Sequence, residues 1–467
     1  MADMLIRNAE IWRFGLADVR VDSGRIAEIG AIDAVSGEHV VDAQGGALLP
    51  GLHDHHIHLA ALAVKKQSIA CGPPDVMDEA ELDRALRCPG EGWLRGIAYH
   101  ESVAGMPDAA LLDRMCPDRP LRMQHRSGRM WFLNSLALDL LLAASPAPPG
   151  LETGPDGFTG RLFDEDRWLS NALGSHPPSF AVISKQLAAF GVTGLTEMSP
   201  ANDSVMAAHF HCEHQKGDLL QSCVLAGALS LALGSYDEIL QLGPAKLHLH
   251  ESALPEFEQT VTFIDTAHKQ NRGVAVHCTT EVELVFALAA LEDAGVVRGD
   301  RIEHAGIAPD HLVAEIARMG LWVVSQPHFI SERGDQYSAT VEARDLPSLY
   351  RLRAFVSAGI PLAGGSDAPF GSPDPWAASA AAVSRTTASG LHLGPEEALT
   401  PEQAISLFLA DPIDITRQRC IEIGSGADLC LLDRPWAAAR LRLSADDVKM
   451  TIAKGRVIHN RVDKIPL

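Results

Sequence analysis

Residues 48–63, LLPGLHDHHIHLAALA, place Asp54, His56 and His58 at alternate positions, with His53 just before them and His55 among them. On a β-strand, alternate residues share a face. One side of such a strand would carry a carboxylate and two imidazoles converging on one point, and imidazole is the commonest protein ligand for zinc. Read alone, the tract is equally compatible with a solvated loop or adventitious metal binding, so the rest of the chain must decide. Further chemistry-bearing residues end other apolar runs. Lys246 opens "KLHLHE", with His248 and His250 on its face; His277 follows "GVAV", His304 follows "RIE" and Asp367 follows "LAGGS". Each has a plain alternative: a hydrogen-bonded rim histidine, a snorkelling lysine, or an aspartate capping the turn before Pro369. A set of His, His, Lys, His, His and Asp at the ends of five strands reads as a metal centre, provided one architecture gathers those ends.

The elements that would gather them are legible. Candidate strands at 53–58, 192–198, 219–226, 246–251, 273–278, 301–306, 322–327 and 361–367 alternate with helical patterns. Leu284, Leu288 and Leu291 recur at helical spacing after a capping box of Thr280 and Glu283, with Gly295 beyond the end. Thr400, Pro401 and Gln403 start another helix in the same way. Eight strands alternating with helices predict an α/β chain with a (β/α)8 TIM barrel, whose active site lies at the C-terminal ends of the strands. Residues 1–50 and 418–467 read instead as short strands, broken at Ser23-Gly24, Gly45-Gly46 and Lys454-Gly455. They predict a small β-sandwich domain built from both chain termini around a barrel of 51–417. Residues 62–185, rich in Pro, Gly and Trp and without a period, form an insert after the first barrel strand. Its position at the active-site face reads as a lid or substrate-binding subdomain, with a decorative or oligomerisation insert as the alternative.

The 467-residue chain has 60 acidic against 39 basic residues, a net charge of −21. That argues against nucleic acid and anionic membrane surfaces as partners, since both attract basic patches. The eight cysteines are scattered without CxxC spacing, as in a reduced, cytoplasmic protein. "MADMLIRNAEIW" has neither the basic nor the apolar region of a signal peptide, and no apolar run reaches transmembrane length. The expected partner is a small-molecule substrate; a homodimer is left open.

Pro50-Gly51-Leu52-x-Asp54-x-His56-x-His58 resembles the PGLxDxHxH signature of the amidohydrolase superfamily. The resemblance runs nearly end to end, through "GPAKLHLHE", "GVAVHC", "RIEHAGIAP", "SQPHF", "YRLRAFVSAGIPLAGGSDAPF" and "GSGADLCLLD". "GWLRGIAYHES", "RPLRMQHRSGRMWFLNSLAL" and "DGFTG" in the insert are similar to the YtcJ-like branch, which includes N-substituted formamide deformylases. This resemblance implies two divalent metal ions, usually zinc. His56, His58 and Asp367 would hold one, and His277 and His304 the other. Lys246, carboxylated by CO2, would bridge them, because a lysine ligates only when its charge is removed and a carbamate supplies anionic oxygens. The chain departs from the branch in having Arg129 where a histidine is common, and Leu249-His250-Glu251 where "ADG" is common.

Two metals can lower the pKa of a bridging water from about 16 to around 7, so that hydroxide attacks a polarised carbonyl. Asp367 would be the catalytic acid–base, passing a proton to the leaving nitrogen. Gly364 and Gly365 would permit close approach to the backbone. Candidate substrate contacts are His250, Gln326, His328 and Arg333, with Tyr99, His100 and Arg129 from the insert; each is equally readable as ordinary loop structure. Trp93, Trp131 and Trp168 lean towards an apolar or neutral substrate. The expectation is a hydrolase of carbon–nitrogen bonds other than peptide bonds, acting on an amide, N-acyl or N-formyl amine, carbamate or cyclic amide. One rival is a mononuclear deaminase of a cyclic amidine, with Glu281 as its acid–base; another is a non-catalytic member of the fold.

Overall fold

A computed structural model describes residues 4–155, 157–174, 177–234 and 239–461. The chain divides into two compact units, Met1–Leu59 with Ser179–Leu467, and Ala60–Pro178.

In the first unit, eight parallel strands form one sheet in chain order: β1 (Leu52–Ile57), β2 (Val192–Glu197), β3 (Ser222–Gly227), β4 (Leu240–His248), β5 (Val274–Cys278), β6 (Arg301–His304), β7 (Trp322–Ser325) and β8 (Leu362–Gly364). The sheet comes back on itself where β8 runs out. The Asp367 N–H donates to the His56 carbonyl at 2.7 Å, and the His58 N–H to the Ala368 carbonyl at 2.8 Å. The strands are buried nearly throughout, as a sheet covered on both faces requires. The helix Glu281–Ala294 has the capping box of Thr280 and Glu283, and Pro401–Ser406 that of Thr400 and Gln403.

β4 departs from the expected 246–251, starting at Leu240 and ending at His248. Gly243-Pro244 reads as a break in the sequence. Here the glycine lets the strand pack on β3, where an added Cβ would lie 3.0 Å from the Leu225 backbone. His250 falls beyond the strand, at the start of a short 3-10 turn, Glu251–Ala253.

Both chain ends share a second, eight-stranded sheet. Its seam is the antiparallel pairing of Ala47–Pro50 with Leu429–Leu432, Leu48 opposite Leu431. Ile6, Ile11, Val19, Val21, Ile26, Leu48, Leu429, Leu431 and Ile452, drawn from both ends, share one core. The turns at Ser23-Gly24 and Lys454-Gly455 have positive φ at both residues, the conformation that tight hairpins favour.

The second unit is a mixed α/β structure that the missing period in the sequence concealed. Its six-stranded sheet spans Ile69–Ala70, Leu94–Tyr99, Leu121–His125, Met130–Leu133, Leu151–Gly154 and Gly157–Phe163. Two apolar clusters, around Leu112, Leu121 and Phe132 and around Trp131, Leu141 and Leu162, form its core. Among the described residues of the whole chain, no helix is long and apolar enough to cross a membrane.

Candidate active site

The C-terminal ends of the barrel strands bring the chemistry-bearing residues together. His56 Nε2 and His58 Nε2 lie 3.4 and 3.3 Å from Asp367 Oδ1. Among the described residues these three form the one group of three or more His, Cys, Asp or Glu whose ligand atoms lie within 4.8 Å of one another. The His304 ring lies 4.8 Å from that of His56 and 4.4 Å from that of His277. Lys246, His277, His304, His58 and Asp367 all line one cleft of about 510 Å³.

The hydrogen bonds determine which ring nitrogen each histidine presents. His56 Nδ1 donates to Glu303 Oε2 at 2.5 Å. His304 Nδ1 donates to Gln326 Oε1 at 2.7 Å. Ser199 gives its hydroxyl proton to Glu197, so His58 Nδ1 donates to Ser199 Oγ at 3.1 Å. In each ring the proton sits on Nδ1 and the Nε2 lone pair is left for a Lewis acid, the arrangement in which outer partners orient metal ligands. His56 Nε2, His304 Nε2 and Lys246 Nζ are buried and have no hydrogen-bond partner. A buried polar atom without a partner costs roughly 1–3 kcal/mol, and three of them at one set of strand ends fit a site that takes up divalent cations.

The electrostatics agree. Burial, then the nearby Lys246, pushes the His56 pKa well below the ordinary imidazole value. Burial also lowers His304 and His277, and takes His248 down to about 4. Burial likewise lowers Lys246, favouring the uncharged amine that CO2 can modify. Burial alone would raise the Asp367 carboxyl, but positive charge at His58, His56 or His304 pulls it well below the usual carboxylate range, and with those rings neutral a bound cation would supply that charge. Neutral nitrogens surrounding an ionised carboxylate are what a divalent cation needs.

The backbone is held to suit. Asp367 and His304 adopt positive φ, 50° and 68°, an uncommon conformation that clusters at functional sites. Gly365 packs against β1, where a Cβ would stand 2.5 Å from that of His56. Asp54 does not join the ligand group, although it shares a strand face with His56 and His58. Its carboxylate accepts the backbone N–H groups of His56 and Ser366, at 3.1 and 2.9 Å, and so ties β1 to the end of β8. Burial raises its pKa to about 7.

The candidate substrate contacts separate. His250 and Arg333 line the cleft. Gln326 is fully buried against His304, and His328, also buried, meets the Ser366 carbonyl at 3.0 Å. In the second unit, Tyr99 is buried and donates to the Gly105 carbonyl at 2.8 Å, while His100 caps Glu101–Ala104. Arg129 makes a bidentate pair with Asp164. Glu303 and Glu197 were not singled out from the sequence; the carboxylate next to His304 in "RIEH" is the one local signal. Replacing Glu303 by glutamine is expected to weaken metal affinity by about 10–100-fold, measured by competition with a chromogenic chelator.

A family model described as the amidohydrolase family matches residues 39–459. The chain belongs to the amidohydrolase family. It is 24% identical to N-substituted formamide deformylase of Arthrobacter pascens, over 93% of this chain and 94% of that protein. It is also 24% identical to the amidohydrolase YtcJ of Bacillus subtilis, over 90% of each. These similarities place this amidohydrolase in the YtcJ-like branch. A metal-dependent hydrolase from Pyrococcus horikoshii has the same fold, with a TM-score of 0.74 at 19% identity, covering 92% of this chain and 97% of that one. As an amidohydrolase, the chain is a metal-dependent hydrolase acting on carbon–nitrogen bonds.

Proposed function

We propose that this amidohydrolase cleaves the C–N bond of an amide, N-acyl or N-formyl amine, carbamate or cyclic amide. In this reading His56, His58 and Asp367 would hold one divalent metal and His277 and His304 a second, with Lys246, as its carbamate, offering an anionic oxygen ligand to the same centre. Zinc suits the imidazole and carboxylate donors. Bound there, such metals supply Lewis acidity and a water acidic enough to ionise near neutral pH. The observation that carries the reading is that His56 Nε2, His304 Nε2 and Lys246 Nζ, all buried, have no hydrogen-bond partner at the strand ends beside the Asp367 carboxylate.

The remaining work falls to the chain's own groups. Asp367 lies within reach of both histidines and lines the cleft, so its carboxylate can take a proton from the attacking water and return it to the leaving nitrogen. Ile307, Phe329, Leu349 and Phe370 contribute apolar surface to the wall of the cleft. Glu281, which the deaminase reading would use, starts the helix after β5. It is partly exposed, lies 4.0 Å from His311 and is not among the cleft residues.

The test is metal content per chain on protein purified without chelators, together with amine release from a panel of N-formyl and N-acyl amines. About two metals and amine release are expected. One metal with ammonia release from cyclic amidines would replace this reading with the deaminase.

A further inference from the structure

The cleft has a cation that the hydrolytic chemistry does not use. Arg333 lies on the helix Phe329–Thr340, which follows β7, and lines the same cleft as His58, Lys246 and Asp367. Its guanidinium lies 4.0 Å over the Phe329 ring and donates one hydrogen bond, to the Phe370 carbonyl. An arginine carries five N–H donors. Among the described residues no carboxylate lies within ion-pairing distance of Arg333, and its other donors have no partner. Other arginines without a carboxylate partner, such as Arg272 and Arg385, spend several donors on backbone carbonyls, whereas Arg333 spends one.

Its position relates it to the reacting end of the cleft. Phe370, whose carbonyl it holds, lies three residues beyond Asp367, donates its N–H to the Asp367 carbonyl at 2.8 Å, and sets its ring edge-on to His58 at 5.8 Å. Aromatic and aliphatic groups surround the cation. Tyr350 lies edge-on to Phe329 at 5.8 Å and stacks with Tyr337 at 6.1 Å, and Ile307, Val341 and Leu349 complete the wall. A planar, always-charged fork stacked on an aromatic face within an apolar wall suits a single carboxylate attached to an apolar body.

We propose that Arg333 anchors a carboxylate of the substrate, so that the molecule cleaved is an N-acyl or N-formyl amino acid with an apolar side chain lying against Phe329, Tyr350 and Leu349. This rests on the hydrolase reading above and specifies its substrate class. In the reaction, water adds its oxygen to the acyl carbon as the C–N bond breaks and a proton reaches the nitrogen. The products are a carboxylic acid and a free amino acid, whose carboxylate stays on Arg333 until release. Arg333 is a specificity residue that leaves bond cleavage to the groups at the strand ends.

Two measurements test this. The first is calorimetric binding of 3-phenylpropanoate and its neutral amide to the metal-loaded protein. The second is kcat/KM for N-formylphenylalanine against N-formylphenethylamine, which lacks the carboxylate. Wild type should favour the acid in both pairs by about 10–100-fold, the scale of a charge-assisted hydrogen bond. Arg333→Gln should abolish the preference and Arg333→Lys restore part of it, with melting curves showing that both variants fold. A preference that survives Arg333→Gln would put the carboxylate on the metal and overturn the proposal. Equal binding and turnover of acid and neutral partner in wild type would overturn it while leaving the hydrolase intact. Loss of all amine release, with the Arg333-dependent binding preference retained, would remove the hydrolase reading and leave the anion site standing.

Discussion

Asp367→Asn is expected to lower kcat by about 10²–10⁴-fold, the range for losing a positioned acid–base group. Asparagine is the informative replacement because it keeps the shape of the side chain and tolerates the left-handed backbone at this position, φ 50°. Any loss then reports chemistry more than folding. The neutral amide also removes the one anionic oxygen donor of the His56, His58 and Asp367 group, so some metal will be lost. The decisive measurement is kcat at saturating metal, where a fall of less than tenfold would remove Asp367 from proton transfer.

Lys246→Ala separates two roles for a buried lysine. Its side chain is almost fully buried and Nζ has no partner. If the residue acts as a bridging carbamate, its removal takes a ligand from both metals. Activity should then fall by more than the about 10–100-fold typical of losing an outer orienting partner, and metal content should drop from about two per chain. Melting of the chelator-stripped protein should fall in either case, because alanine leaves a cavity where the buried stem packs. Metal content separates the two roles, since a purely structural lysine would leave it unchanged.

The barrel could be read from the sequence because its signals are local. Alternation in 53–58, strand runs ending in polar residues, and the boxes Thr280–Glu283 and Thr400–Gln403 lie within a few residues of one another. One architecture also fixes where strand ends meet, and it brings His56, His58, His277, His304 and Asp367 together. The partners were not legible. Gln326 and His328 follow β7, where a substrate contact is expected, but His304 and the Ser366 carbonyl engage them, and those groups are distant in sequence from the viewpoint of a pattern. Asp54 shares a face with His56, but pairing at the closure of the barrel turns its carboxylate to the Ser366 backbone. The sheet of the second unit escaped notice because its strands are short, several are only half-buried, and glycines interrupt them.

The seam between Ala47–Pro50 and Leu429–Leu432 bears on biosynthesis. The strand that leads directly into β1, and so into His56, has one sheet neighbour close by, Met4–Ile11, and the other near the far end of the chain. During translation that edge stays unpaired until almost the whole polypeptide has left the ribosome. Pairing across so long a separation is slow, and open edges template aggregation. Nascent chains stalled before Leu429 should therefore depend on chaperones, and release of the final strands should be the event that closes the fold around the first histidines.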